Sequence, residues 1–352
     1  MKTPRILHVD ADNFFATCEE LLSPALRGRA LIVAGGRRQN GIVLSASRRA
    51  KAFGIRSGMA CFRARQLCAE LVVCPARPDA YKNISARMFS VMNRFSALVV
   101  PVSIDEGFLD LSAEADGAAR WRELSATTLR EVGLNLSGGL ANSRWLGKLA
   151  TDAAKPGFLE VSAGMEKEFL AARNVRELSG VGESRAQALA ALGAVTFGDV
   201  ARLSSMLLRQ RFGIWGQKLF LFANGEWHET LMAEARTRTM ISRQKTFPFD
   251  VRDYGRVLQF GMVELKKLLA QLRREQLAPR EISVAVRFAD FSESRAEHLF
   301  RVAQERDGII CEMFAAKFSE CVAGQNKLVR QLRLALGALS PMAARQEVFG
   351  DW

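Results

Sequence analysis

The chain has 352 residues, 49% of them hydrophobic and 25% charged, which excludes a disordered chain and describes a folded protein of several domains. Its 50 Lys and Arg against 37 Asp and Glu leave a formal charge of +13, so a polyanionic partner is expected, nucleic acid or an anionic surface. No run of about 18 apolar residues, no signal-peptide pattern, six Cys without a CxxC pair and three dispersed His argue against a membrane span, secretion, a zinc site or a disulfide framework, and predict a cytoplasmic protein.

In chain order, residues 6–9 alternate as a short strand ending at Asp10, and 14–22 have helical spacing. Two short strands, 30–34 and 42–44, flank a Gly/Arg-rich loop, and 47–53 read as a basic helix closed by Gly54. Between Glu20 and Glu70 there is no acidic residue but ten basic ones, the pattern of an anion-facing lobe. An apolar stripe from Ile84 to Phe95 predicts a helix over 81–98. The β-rich runs 99–103 and 108–111 predict a hairpin carrying Asp105 and Glu106 near its tip. A helix over 121–132, a strand over 134–138 and a helix over 143–154 follow.

The stretch from 161 to about 230 turns to Ala, Leu and Arg and reads as short helices. Within it, 178–193 has the spelling of a helix-hairpin-helix, in which the backbone amides at Gly180, Val181 and Gly182 can hold a DNA phosphate. Residues 233–240 lack a core pattern and make a linker. Residues 241–340 mix strand and helix periods as a second α+β domain, and 341–352 form a tail. Net charge is +7 over 1–160, +1 over 161–232 and +5 over 241–340.

Asp10, Asp105 and Glu106 fall on strands that can be neighbours. Three carboxylates in one cleft repel, so they call for raised pKa values or a divalent cation. Oxygen ligands without His or Cys favour magnesium or manganese, two of which can drive phosphoryl transfer.

At this point whole motifs are recognisable. Residues 8–16 (HVDADNFFA) resemble the first catalytic motif of the Y-family, or translesion, DNA polymerases, and 103–110 (SIDEGFLD) their second. Residues 45–55 (SASRRAKAFGI) resemble the fingers motif, and 147–150 with 154–156 the end of the palm. The resemblance runs in order over nearly the whole chain and is closest to the DinB-like branch. It implies an α+β right-hand polymerase with a ferredoxin-like palm over 1–18 and 75–160, small fingers over 19–74, a helical thumb over 161–232 and an α+β little finger over 241–340.

The resemblance also implies roles. Asp10, Asp105 and Glu106, with the Ala11 carbonyl, would hold two Mg2+ ions, which Mn2+ can replace. Phe15 would be a steric gate against ribose; Phe14, Ser45, Arg48, Lys51 and Lys155 would bind the incoming dNTP; Ile42 and Leu44 would roof the nascent pair. Two positions depart from the family: Arg48 stands where Tyr is usual and Lys51 where Arg is usual, which loses a bidentate fork. The expected activity is low-fidelity, distributive extension of primer–template DNA by a monomer during damage bypass. Gln346 to Phe349 loosely resembles a peptide that docks a bacterial sliding clamp. A catalytically idle DNA-binding relative and a three-carboxylate nuclease are the competing readings; the intact carboxylates disfavour the first, and the Phe15 region and basic lobe the second.

Overall fold

The computed structural model describes residues 4–35, 41–232 and 238–342. The chain divides into two compact units, Met1–Glu234 and Ala235–Trp352, within the segment expected to be a linker.

The first unit begins with β1 (Ile6–Ala11), buried along its whole length. Asn13, in the left-handed region at φ 52°, turns the chain into α1 (Phe14–Leu22). The basic stretch then forms its own small sheet: β2 (Leu31–Gly35), β3 (Ile42–Ala46) and, after α2 (Arg48–Ala52) and α3 (Cys61–Leu67), β4 (Val72–Pro75). β2 lies centrally, antiparallel to β3 and parallel to β4. Val43, Ala46, Ala50, Ile55, Cys61 and Ala64 close over it in a separate core.

The chain continues through α4 (Pro78–Met92), β5 (Val99–Pro101), β6 (Glu106–Asp110), α5 (Gly117–Val132), β7 (Leu136–Ala141), α6 (Arg144–Ala154) and β8 (Phe158–Glu160). The large sheet has the order β5-β6-β1-β7-β8, with β1 antiparallel to both neighbours. A strand alternates its side chains between faces. Leu7 and Val9 therefore face one layer, where they pack with Met88 and Met92 of α4 and Trp121 and Leu124 of α5. His8 faces the other layer and meets Thr151 of α6.

Two adjacent glycines in β7 set how closely these layers approach. A Cβ at Gly138 would come within 2.6 Å of the Trp121 ring, and one at Gly139 within 2.2 Å of the Gly147 carbonyl oxygen. The helices lie on the sheet at backbone distance because neither position carries a side chain.

The rest of the unit is helical: α7 (Glu166–Ala171), α8 (Glu183–Ala190), α9 (Phe197–Arg202) and α10 (Ser205–Ala223), broken at Gly213. Leu170, Leu189, Phe197, Val200, Leu219 and Phe222 form its core together with Leu146 and Leu149 of α6.

The second unit has β9 (Met240–Val251), α11 (Tyr254–Arg274), β10 (Leu277–Ala278), β11 (Glu281–Phe288), β12 (Glu293–Leu299), α12 (Asp307–Val322), β13 (Val329–Gly337) and β14 (Ser340–Pro341). Its main sheet runs β12-β11-β13-β9, all antiparallel. Ile282, Val284 and Val286 with Leu332, Leu334 and Leu336 face Leu265, Leu269, Phe314 and Phe318 of the two helices. β9 is an edge strand and largely exposed, which accommodates Pro248.

Among the described residues no helix is long and apolar enough to cross a membrane. All six cysteines are unbridged.

The expected elements differ from the observed ones in a few places. The helix expected over 81–98 starts at Pro78 and stops at Met92. Phe95 stays buried, so the apolar stripe outlasts the helix, while the Ser96 hydroxyl caps the turn through the Leu98 N–H and the Asp110 carbonyl. The strand expected over 134–138 is shifted to Leu136–Ala141. Glu106 is the first residue of β6 rather than part of the hairpin tip. Strands β4, β9, β12 and β13 and helix α3 are additional to the expected elements, although β13 alternates plainly at Leu332, Leu334 and Leu336.

Candidate active site

Strand pairing assembles the acidic cluster. Asp10 stands directly opposite Glu106 in the β1–β6 register. The Ala11 N–H donates to the Asp105 carbonyl at 2.9 Å, which pins the Asp105 turn to the end of β1. The Ser103 hydroxyl donates to Asp105 Oδ1 and accepts the N–H groups of Asp105 and Glu106, each at 3.2 Å. All three acidic residues expected from the sequence thus lie at the same end of β1 and β6, two interior strands of the sheet.

Helix α6 supplies their counter-charge. Lys148 Nζ lies 2.6 Å from Glu106 Oε2, 3.3 Å from Asp10 Oδ2 and 3.5 Å from Asp152 Oδ1. Lys155 Nζ lies 2.6 Å from Asp10 Oδ2 and 3.7 Å from Asp152 Oδ1. Asp10 is only 8% exposed, so an unpaired charge there would be costly. Lys148 and Asp152 were not among the expected site residues. The signal for them was present: Lys148, Asp152 and Lys155 are spaced by four and three residues, one face of a helix.

Glu106 is held down at about pKa 2 by the edge of the His8 ring, 3.5 Å away, and by the Lys148 ammonium, against the opposing effect of burial. Lys148 is lowered by burial but raised more by Glu106 and Asp10, so its net shift is upward. His8, fully buried between Thr151 and the Phe108 ring, is pushed below its ordinary value because burial outweighs the neighbouring carboxylates. A neutral buried His lends stability that is complete above the unfolded value near 6.5 and is lost as pH falls below it. The melting temperature is therefore expected to decline from about pH 6.5 downward, and His8→Gln to flatten that decline in a melting series from pH 8 to 5.

Among the described residues, no three His, Cys, Asp or Glu side chains form a ready-made cation cage. Asp10 and Glu106 are paired with ammonium groups instead, and Asp105 with the Ser103 hydroxyl. The site nevertheless suits divalent ions: its donors are oxygens alone, and Asp10 and Glu106 already concentrate positive charge between them.

The other expected residues fall as follows. Phe15 is partly buried and stacks on Tyr81, with ring centroids 4.8 Å apart. The Phe14 ring is buried in the core, so only its backbone N–H, at the open first turn of α1, is available to a ligand. The Ser45 hydroxyl is buried, 3.4 Å from the Ala16 N–H. Arg48 and Lys51 are exposed, and among the described residues neither is paired with a carboxylate. Arg48 shares a cavity of about 510 Å³ with Asn13, Thr17 and Arg29. Ile42 and Leu44 project from one face of β3, 52% and 39% exposed, while Val43 and Ser45 turn inward.

At the expected helix-hairpin-helix, the first helix is a single 3-10 turn over Val175–Glu177. Gly180 has φ 94° and a Cβ at Gly182 would meet nothing, so the backbone can be approached closely before α8; Val181 is buried and its N–H already donates to the Leu178 carbonyl at 2.9 Å, so that amide is not available to a phosphate. Gln346 to Phe349 lie outside the described residues.

Comparison with known proteins extends over most of the chain. Residues 9–152 match the impB/mucB/samB family, and residues 238–348 match the C-terminal domain of the same family. The DNA polymerase IV of Alkalilimnicola ehrlichii is 32% identical over 354 residues, covering 98% of this chain and 99% of that protein. The DNA polymerase IV of Salmonella typhimurium is 31% identical, again covering 98% of this chain and 99% of the other. Among solved structures, a chimera of the Y-family DNA polymerases Dbh and Dpo4 superposes with a TM-score of 0.85 at 22% identity, covering 95% of this chain and 98% of its own. An insertion ternary complex of Dbh DNA polymerase gives a TM-score of 0.64 at 23% identity, covering 96% of this chain and all of the other.

Proposed function

The chain belongs to the impB/mucB/samB family, as a DinB-like Y-family DNA polymerase, and from that membership we propose how its residues carry out the reaction. It is a template-directed DNA polymerase of the translesion type, transferring nucleotides to a primer. The observation that carries the residue assignment is the Asp10–Glu106 pair across β1 and β6, with Asp105 tied to the same strand end.

On this reading the large sheet with α4, α5 and α6 is the palm, the small basic sheet the fingers, the helices from α7 to α10 the thumb, and the second unit the little finger. Asp10, Asp105, Glu106 and the Ala11 carbonyl would hold two magnesium ions, with manganese able to replace them. Bound there, such ions supply the Lewis acidity for attack of a primer hydroxyl on the α-phosphate. Lys148 bridges Asp10 and Glu106 beforehand, and Lys155 pairs with Asp10. Arg48, Lys51 and Lys155 neutralise the triphosphate, Ser45 and the first turn of α1 add polar contacts, and Phe15 closes the sugar pocket to a 2′-hydroxyl. The Gly180–Gly182 turn, with Val181 packed beneath it, presents the backbone before α8 to the duplex phosphates without reading sequence.

Primer extension with purified protein tests the assignment. Extension is expected to stop on chelation and to return with magnesium or manganese; extension that survives chelation would overturn it. The apolar Ile42 and Leu44 make a close-fitting roof over the nascent pair. Ile42→Ala with Leu44→Ala is expected to raise bypass of a bulky adduct relative to undamaged template, and an unchanged ratio counts against the roof. A tail that docks a sliding clamp through Gln346 to Phe349 is part of the same proposal.

A further inference from the structure

Behind the proposed sugar gate lies a buried ionic cluster that no step described so far uses. Phe15 and Glu19 are four residues apart on α1, and Arg77 and Tyr81 are four apart at the start of α4. Residues at this spacing share a helix face. The two faces meet as matched pairs: the Phe15 ring on the Tyr81 ring, and the Glu19 carboxylate on both the Tyr81 hydroxyl and the Arg77 guanidinium.

The rings are stacked, 4.8 Å between centroids and 22° between planes. The Tyr81 hydroxyl donates to Glu19 Oε1 at 2.5 Å, and Arg77 Nε donates to the same oxygen at 3.0 Å. Arg77 Nη2 donates to the other carboxylate oxygen. Glu19 is 3% exposed and Tyr81 1%, whereas the Arg77 side chain is 43% exposed. Burying a carboxylate this deeply is unfavourable unless it is paired and hydrogen-bonded, and here a guanidinium fork and a phenol supply the bonds.

The arrangement fixes the ring of Tyr81 at both ends. Its face carries Phe15, and its hydroxyl is anchored to a carboxylate that Arg77 holds in one orientation. A gate that excludes one hydroxyl group must be placed to well under an ångström. Phe15 alone cannot meet that demand, since an aromatic ring without a backing can tilt away from a ligand. We propose that the Glu19–Arg77 ion pair, acting through the Tyr81 hydroxyl, positions Phe15 and so sets the discrimination between deoxyribo- and ribonucleotides. Glu19, Arg77 and Tyr81 are positioning residues in this scheme, and the inference rests on Phe15 being the sugar gate.

Single-nucleotide insertion with dGTP and GTP opposite template dC tests this, the readout being the ratio of the two kcat/KM values. Phe15→Ala is expected to collapse the ratio. Tyr81→Phe keeps the stacked ring and removes only the anchor; it is expected to lower the ratio by about tenfold, with the dGTP efficiency held within about threefold. Arg77→Met is expected to act in the same direction. On the Phe15→Ala background, Tyr81→Phe is expected to have no further effect. If Tyr81→Phe and Arg77→Met preserve the ratio while Phe15→Ala collapses it, the anchor proposal falls and the gate stands. If Phe15→Ala itself preserves the ratio, the gate reading falls and takes the anchor with it.

Discussion

Asp105→Ala is expected to lower the single-turnover rate of nucleotide insertion by about 10³-fold or more, since it removes a proposed metal ligand worth several kcal/mol of transition-state stabilisation. The fold should be little affected. Asp105 is held in its turn largely through its backbone: its carbonyl accepts the Ala11 N–H at 2.9 Å, and its N–H is bonded to Ser103. The β1–β6 register continues from Asp10 and Glu106 through Ile6 and Asp110 without using the side chain. Rapid-quench insertion and fluorescence anisotropy on the same primer–template separate the two effects. The expected result is a lost rate with DNA affinity retained. A variant that inserts nucleotides within about tenfold of the parent would remove Asp105 from the reaction.

Ser103 gives that experiment an internal gradation. Its hydroxyl orients the Asp105 carboxylate while its oxygen accepts two backbone N–H groups. Ser103→Ala leaves the carboxylate in place but unrestrained, so its loss of rate should be intermediate. Charge and orientation can thus be measured apart.

How much of this was legible beforehand depends on the physical origin of each feature. Helix α1 was readable to the residue, because Phe14 and Cys18, four residues apart, bury one side of it in the core it shares with the apolar β1. The three carboxylates were visible as side chains at strand ends, and their convergence required only that the strands be neighbours. Their partners were less visible. Lys148 and Asp152 belong to α6, whose docking on β1 and β7 is a tertiary event that local spacing does not specify. Glu19 looked like an ordinary helix-face carboxylate, since nothing in the spacing says that Arg77, 58 residues away, covers it. Strand β9 was hidden for another reason: at an exposed edge it has no need of an alternating apolar pattern.

The same dependence on tertiary docking makes Gly139 the most sensitive position outside the acidic cluster. A Cβ there would lie 2.2 Å from the Gly147 carbonyl oxygen and 2.4 Å from the Thr151 backbone nitrogen. Both obstacles are main-chain atoms of α6, which no rotamer change can move. Gly139→Ala must therefore lift α6 from the sheet or displace β7. Either way the layer opens at the point where Thr151 bonds the buried His8. Overpacking of this kind costs about 3 kcal/mol, enough to shift a denaturation midpoint markedly. The damage reaches the chemistry through geometry, because the helix that moves carries Lys148 and Asp152 and is followed directly by Lys155. Insertion rate should fall along with stability, and lowering the temperature should restore folding without restoring the rate. Gly138→Ala is the matching control on the opposite face: its Cβ would meet the Trp121 ring at 2.6 Å, a side chain on the layer away from the carboxylates. It is expected to lose stability while keeping the insertion rate of its folded fraction. If both variants lose rate in proportion to stability, α6 is not what registers the lysines on the acidic pair.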